Sequence, residues 1–410
     1  MPPTRRSRPK HPLRRFPSPT LPPAARSRVA LGLTAFAAQG RLALQVCRDC
    51  ATVHYPPQEA CRQCLSLRLV WRPQDSAGEL ISDTVLRHSN ELYFRARVPL
   101  RLGSVRLDAG PTAIAFVHNA CPAPPARVRL RAALDRAGAA VLAALPDDEV
   151  TTMADDRVLR ELTNDPAGRK ILITDGRAPV AASLARALAA AGAELIYVGM
   201  AQPWPPAAVA PFAQIPQVLV RPLDVTDGES VGDLAAEIGG KVDILINTAE
   251  HHRPHAVLGR GIATARAEME VNYFGLLRLA QHFAPAMRTR AADGAAAWVN
   301  LLSIFALANF PPHGTFSAAK AAAHSAAQGL RAELRGAGLR VVNVYPGPIE
   351  EEWNDMLPPP KLAPAALAAA IVTALRDGVE DVYPGDVAQD WFARWRDNPK
   401  ALEREVAAIP

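Results

Sequence analysis

Cys47-x2-Cys50 and Cys61-x2-Cys64 set four thiols in two pairs, with ten residues between the pairs. Each Cys-x-x-Cys turn aims two sulfurs at one point, so together they suit a tetrahedral zinc ion. Two disulfides are the alternative, but the paired spacing favours metal, and Cys121 is the one other cysteine. Four thiolates leave no position for water or substrate, so the ion would be structural. It would stand in for a core that roughly thirty residues are too few to build. His251, His252 and His255 form a second group of candidate ligands. No matching ligand set accompanies them, and the expectation is exposed loop histidines.

The elements that must hold these residues fall into distinct stretches. The chain has 410 residues, enough for two to three domains. With 49% hydrophobic and 21% charged residues, its composition is that of a globular protein. The net charge of +6 is local. Residues 1–28 carry eight Lys/Arg, eight prolines and no acidic residue, leaving 38 basic against 40 acidic residues elsewhere. Such a tail is expected to be disordered. The apolar run Val29–Ala38 that follows has the outline of an export signal. It is short and broken by Gly32 and Thr34, so a helix leading into residues 29–75 is the preferred reading. No stretch approaches the roughly 20 apolar residues of a membrane span, and a cytoplasmic location is expected.

Residues 76–145 read as short β runs at Glu79–Val85, Tyr93–Val98, Val105–Leu107 and Thr112–Val117, the pattern of a small antiparallel barrel. Residues 146–168 read as an acidic linker with a lead-in helix. From 169 to about 400, continuous apolar runs alternate with Ala/Leu-rich helical stretches. The runs are Ile171–Thr174, Leu195–Val198, Val218–Val220, Ile244–Asn247, Trp298–Leu302 and Val341–Tyr345. Buried parallel strands in a doubly wound Rossmann-type sheet are predicted. The fold class is therefore multidomain: zinc ribbon, antiparallel OB-type barrel, then an α/β sheet.

The front half resembles a family of acyl-CoA-associated zinc-ribbon/OB-fold proteins. The likeness rests on the helix, Leu42–Cys50, His54-Tyr55-Pro56-Pro57, the second knuckle and Gly78-Glu79-Leu80, over about residues 28–145. It implies a rubredoxin-like ribbon and a non-catalytic subunit that accompanies a thiolase, aldolase or enoyl-CoA hydratase and helps hold the CoA thioester. A ribbon joined to an OB barrel also fits nucleic-acid binding, and the basic tail would assist. The barrel offers few aromatic stacking platforms, which weighs against that reading.

The back half resembles the short-chain dehydrogenase/reductase family over about residues 168–395. Asp224-Val225-Thr226-Asp227 matches the segment beside adenine. Asn272 matches the asparagine that anchors a relay water. Ser303 matches the substrate-polarising serine, and Lys320 the lysine that binds ribose and tunes the catalytic tyrosine. The tyrosine itself is replaced: Gly314-Thr315-Phe316-Ser317-Ala318-Ala319-Lys320 places Phe316 there, a ring with no proton to give. His313 is the nearest substitute acid in sequence and reads as a loop histidine without a role.

The resemblance also implies a glycine-rich cofactor loop, Thr-Gly-x-x-x-Gly-x-Gly. This chain reads Thr174-Asp175-Gly176-Arg177-Ala178-Pro179-Val180-Ala181. Glycines there let backbone amides approach a pyrophosphate at the helix N-terminus. Asp175 adds a like charge, which at about 4 Å costs ~1 kcal/mol in water and ~4 kcal/mol near a protein surface. Pro179 removes an amide, and Ala181 adds a methyl. Asn247-Thr248-Ala249-Glu250 replaces Asn-Asn-Ala-Gly. Glu351 stands where a threonine meets the nicotinamide amide, and no acidic residue ends the second strand.

The reading is a non-catalytic accessory subunit of an acyl-CoA-processing complex with a pseudo-dehydrogenase domain, structural zinc and no bound NAD(P). Its expected partners are a thiolase- or hydratase-type enzyme, an active dehydrogenase subunit docked on the Ala-rich helix 316–336, or both. The alternative is an atypical NAD(P)-dependent oxidoreductase acting on a 3-hydroxyacyl- or 3-ketoacyl-CoA.

Overall fold

The computed structural model describes residues 21–23, 27–148, 150–291 and 294–408, so nearly all of the basic tail lies outside the described residues. Helix α1 (Leu31–Ala37) leads into a three-stranded sheet of β1 (Ala43–Cys47), β2 (Val53–His54) and β3 (Leu69–Pro73), with β1 central. A closed barrel follows. It is formed by β4 (Ala77–Leu86), β5 (Leu100–Leu107), β6 (Thr112–Val117), β7 (Ala126–Leu134) and β8 (Ala140–Pro146), ordered β4-β5-β6-β8-β7. Inward alternation fills it with Leu80, Val105, Leu107, Ala113, Ala115, Val128 and Leu130. Ala37, Leu42 and Leu44 join the same core, so the ribbon and its helix cap one end of the barrel.

Two local expectations fail. Tyr93–Val98 is not a strand; it opens with the helical turn α2 (Leu92–Arg95). Helical spacing brings residues i and i+4 together, and the Arg97 guanidinium lies 3.7 Å from the centre of the buried Tyr93 ring. Among the described residues of 146–168 there is no α-helix; two 3-10 turns are formed, Met153–Asp155 and Leu159–Leu162. Acidic side chains there take amides that a helix would use. Asp148 accepts from Val150 N and Thr151 N, Asp155 from Thr152 N, and Asp156 from Val158 N and Leu159 N.

The remaining strands are β9 (Lys170–Ile173), β10 (Leu195–Met200), β11 (Val218–Pro222), β12 (Ile244–Asn247), β13 (Ala297–Leu301), β14 (Arg340–Val344) and β15 (Asp381–Val382). They form one parallel sheet ordered β11-β10-β9-β12-β13-β14-β15. Its central strands are buried end to end, as a sheet covered on both faces requires. The first six strands are the predicted runs, and β15 adds an edge too short to read in sequence. The helices are α3 (Ala181–Ala190), α4 (Pro206–Val209), α5 (Gly228–Ile238), α6 (Ala263–Met269), α7 (Gly275–Arg290), α8 (Gly314–Arg335), α9 (Pro364–Asp377), α10 (Asp386–Asp397) and α11 (Pro399–Ala407). A π-helical turn, Glu270–Phe274, joins α6 to α7 and carries Asn272.

The strand order reverses between β9 and β12, and the loops leaving their carboxyl ends form the crevice where such sheets bind ligands. The barrel docks at the opposite, amino-terminal edge. Buried Arg340, which opens β14, donates to Leu134 O of the barrel and to Leu162 O. Arg136 donates to Ala291 O, and Arg335 to Ala137 O. Barrel and crevice therefore occupy opposite ends of the sheet. Among the described residues, no helix is long and apolar enough to cross a membrane.

Candidate functional site: a zinc ribbon and a remodelled dinucleotide crevice

The ribbon brings its four thiols together as the spacing predicts. Cys47 Sγ lies 3.6 Å from Cys64 Sγ, and Cys50 Sγ lies 3.5 Å from Cys61 Sγ. All four are free thiols, and these separations exclude disulfides. Zinc–sulfur bonds of about 2.3 Å place tetrahedral sulfurs ~3.8 Å apart, so the cluster fits the ion closely. Backbone amides of Asp49 and Gln63 donate to Cys47 Sγ and Cys61 Sγ, each at 3.4 Å, an arrangement that stabilises thiolate charge. Cys121 lies buried under the barrel, and its Sγ reaches Ala144 O.

In the crevice, the loop after β9 spends its polar groups on itself. Gly176 N donates to Gly199 O at 2.7 Å, Arg177 N to Asp175 Oδ1 at 2.9 Å, Ala178 N to Asp175 O, and Ala181 N to Ala178 O. Pro179 has no amide to offer. The Asp175 carboxylate also takes Nε and Nη2 of Arg177 at 3.0 and 2.9 Å. This bidentate bond to Asp175 holds the Arg177 guanidinium pKa above its ordinary value. Gly176 is required where it stands, because a Cβ would lie 2.7 Å from Val198 Cγ1 and 2.9 Å from Met200 Cε. Ala181 is fully buried in the core of the sheet. The neighbouring loop is tied to this one: Thr174 Oγ1 donates to Asn247 Oδ1 at 2.9 Å, and Thr248 Oγ1 to Asp175 O at 3.0 Å. Asp224 uses its carboxylate on Thr226 N and Oγ1, a local turn.

Below this loop sit the residues matched to the proton-transfer machinery. Ser303 Oγ accepts from Phe305 N, capping a short 3-10 turn. Asn272 Nδ2 donates to His251 O at 2.8 Å. Lys320, buried to 1% exposure, donates to Leu301 O at 3.0 Å and pairs with Glu250 Oε2 at 2.6 Å. The carboxylate foreseen near the pocket thus holds the lysine directly.

Phe316 is 2% exposed, and the His252 ring stacks on it with centroids 3.8 Å apart at 18°. The exposed-loop expectation is wrong for His252, which is only 4% exposed, and His313 is buried beside it. His252 Nε2 lies 2.6 Å from His313 Nδ1, and His252 Nδ1 lies 3.3 Å from Glu351 Oε1. Asn354 Nδ2 donates to the same Glu351 oxygen at 2.9 Å. Burial pushes the His313 imidazole down to about 4, with the adjoining His252 a lesser cause. Burial likewise raises Glu351 above the usual carboxylate range, helped by the Glu250 charge. His255 is half-buried and stays apart, near Arg260 O. The burial and pairing of His252 are invisible in sequence because its partners His313 and Glu351 lie 61 and 99 residues along the chain. The available signal was Glu250-His251-His252, a histidine two places from a carboxylate already assigned to the pocket.

Sheet order, crevice position and the matched Asn–Ser–Lys set together define a short-chain dehydrogenase, and the comparisons agree. The short chain dehydrogenase family model matches residues 169–359, and the model described as ChsH2, rubredoxin-like zinc ribbon domain matches residues 34–70. Galactitol 2-dehydrogenase (L-tagatose-forming) of Cereibacter sphaeroides is 33% identical over 241 residues, which is 52% of this chain and 93% of that protein. A Burkholderia cenocepacia J2315 short chain dehydrogenase, solved in complex with NADP, is 34% identical with a TM-score of 0.55, covering 60% of this chain and 100% of that one. A Streptomyces avermitilis short-chain dehydrogenase is similar in fold, with 24% identity, a TM-score of 0.51 and coverage of 59% and 98%. The chain belongs to the short-chain dehydrogenase family and carries a ChsH2-type zinc ribbon ahead of that domain.

Proposed function

We propose that this protein is a non-catalytic scaffold subunit of an acyl-CoA-processing complex, with a dehydrogenase fold whose dinucleotide loop is closed by its own internal hydrogen bonds. One observation carries the reading: the amides of 176, 177, 178 and 181 are all bonded within the chain, beside a proline at 179. A pyrophosphate needs such amides free and tolerates no carboxylate among them. Lys320, the ribose ligand of the family pattern, is neutralised by Glu250. Phe316 supplies no proton. The ribbon holds structural zinc and, with the barrel, docks on a thiolase-, aldolase- or hydratase-type partner, a role taken from its ChsH2-type likeness. The face of α7 and α8 is the surface offered to an active dehydrogenase subunit.

A titration with NADH and NADPH tests the closed crevice. No binding up to millimolar concentration is expected, and micromolar binding to either nucleotide overturns the reading. Co-purification with an acyl-CoA enzyme from the native host tests the scaffold role separately.

A second reading, an atypical oxidoreductase for 3-hydroxyacyl- or 3-ketoacyl-CoA, is favoured by the buried His252–His313 pair against Phe316. An imidazole there could exchange the proton that phenylalanine cannot. The NADP complex of the 34%-identical Burkholderia structure lends it weight. Reduction of a 3-ketoacyl-CoA by NADPH, abolished by His252→Ala, would establish it.

A further inference from the structure

We propose that Glu250, His252 and Glu351 form a second metal site, for a divalent first-row transition ion such as zinc, at the carboxyl edge of the parallel sheet. One ligand atom from each lies within 4.8 Å of the other two. His252 Nδ1 and Glu351 Oε1 are 3.3 Å apart. Two ligands bonded to one ion at about 2.1 Å stand ~3.0 Å apart at a right angle and ~3.4 Å apart at the tetrahedral angle. The observed separation falls between these limits. One imidazole nitrogen and two carboxylates form a set of the kind that binds zinc, manganese or ferrous iron.

Each ligand has a partner that orients it, as metal ligands do. With an ion on Nδ1, His252 would carry its proton on Nε2 and donate it to His313 Nδ1, 2.6 Å away. Asn354 Nδ2 steadies Glu351, and Asn272 holds the backbone carbonyl of His251 between the two other ligands on that loop. Lys320 holds Glu250 in place through Oε2 at 2.6 Å. Glu250 is paired with the Lys320 ammonium while Glu351 faces the His252 imidazole, so a bound cation would favour the charged form of Glu351. Three protein ligands would leave at least one coordination position open to water or a small oxygen ligand, unlike the closed four-sulfur site. The residues that displaced the dinucleotide would then have assembled a different site in the same crevice.

The rival arrangement is a metal-free network in which a proton bridges His252 and Glu351. Equilibrium dialysis of the full-length protein against micromolar cobalt(II), with metal counted by mass spectrometry, separates the two. Two ions per chain are expected. One should give the intense thiolate-to-cobalt absorption of the ribbon, and the other only weak ligand-field bands. His252→Ala and Glu351→Gln should each reduce the count to one while preserving the thiolate band, which also reports an intact ribbon. Cys61→Ser should remove that band and leave the second ion. The proposal is overturned if the wild-type chain holds one ion with thiolate absorption alone, or if the second ion survives in both crevice variants.

Discussion

Phe316 is the substitution that most clearly marks the crevice, and on the scaffold reading a phenol there is not expected to supply the chemistry. Its ring is buried and stacked on His252, and the ammonium that would tune a tyrosine is 2.6 Å from Glu250. Phe316→Tyr is therefore expected to leave ketone reduction by NADPH at the level of denatured protein, measured as loss of the reduced nucleotide. Asp175 is the more responsive position. Replacing it with glycine removes a carboxylate from the pyrophosphate path and releases the Arg177 guanidinium to meet phosphate. Relief of ~1 to 4 kcal/mol of repulsion should tighten NADPH by about fivefold or more, read by fluorescence titration as binding near millimolar concentration that wild type lacks. An unchanged affinity would mean that Pro179 and the internally bonded amides, not charge, close the loop. The loss of the catalytic hydroxyl was legible in one letter of sequence. The His252–Glu351 contact was not, because nothing local couples positions 99 residues apart.

At the scale of elements, the ribbon and α1 test how the small front unit is held. Gly32 lies on α1 against the indole of Trp71 on β3, and a Cβ there would sit 2.1 Å from Trp71 Nε1. Alanine usually improves a helix by about 1 kcal/mol over glycine. Here overpacking should dominate, and Gly32→Ala is expected to destabilise by about 1–3 kcal/mol in urea unfolding. Cys61→Ser should release the ribbon ion and lower the melting temperature of the barrel with it, since Leu42 and Leu44 belong to the barrel core. Calorimetry with metal analysis checks both at once. The Ala-rich helix 316–336 divides its alanines between the core and the surface. Ala319, Ala323 and Ala327 of α8 face the protein's own core, so three of those alanines are spent on internal packing. Ala318 is exposed.

For the whole molecule, the barrel and the parallel sheet are joined by arginines that reach backbone carbonyls across the boundary. Arg340 is the most buried of them, bonded to Leu134 O and Leu162 O. Desolvation lowers its pKa, with Glu380 partly offsetting the effect. Arg340→Ala strands two carbonyls away from water and is expected to cost about 2–4 kcal/mol. It should also expose residues 147–168 to limited proteolysis. A single, unchanged cooperative transition with no new cleavage would show that the two units are fixed by other contacts.

The sequence by itself determined the repeating apolar runs, the paired cysteine knuckles, and the replacement of the cofactor glycines and the catalytic tyrosine. Each of these is local, expressed in spacing or in the identity of one residue. Only the tertiary structure decided what the replacements do. It paired Asp175 with Arg177, Glu250 with Lys320, and His252 with both His313 and Glu351. All but the first of these join residues far apart in sequence, and they become neighbours because the loops and the start of α8 that carry them lie at the same edge of the parallel sheet.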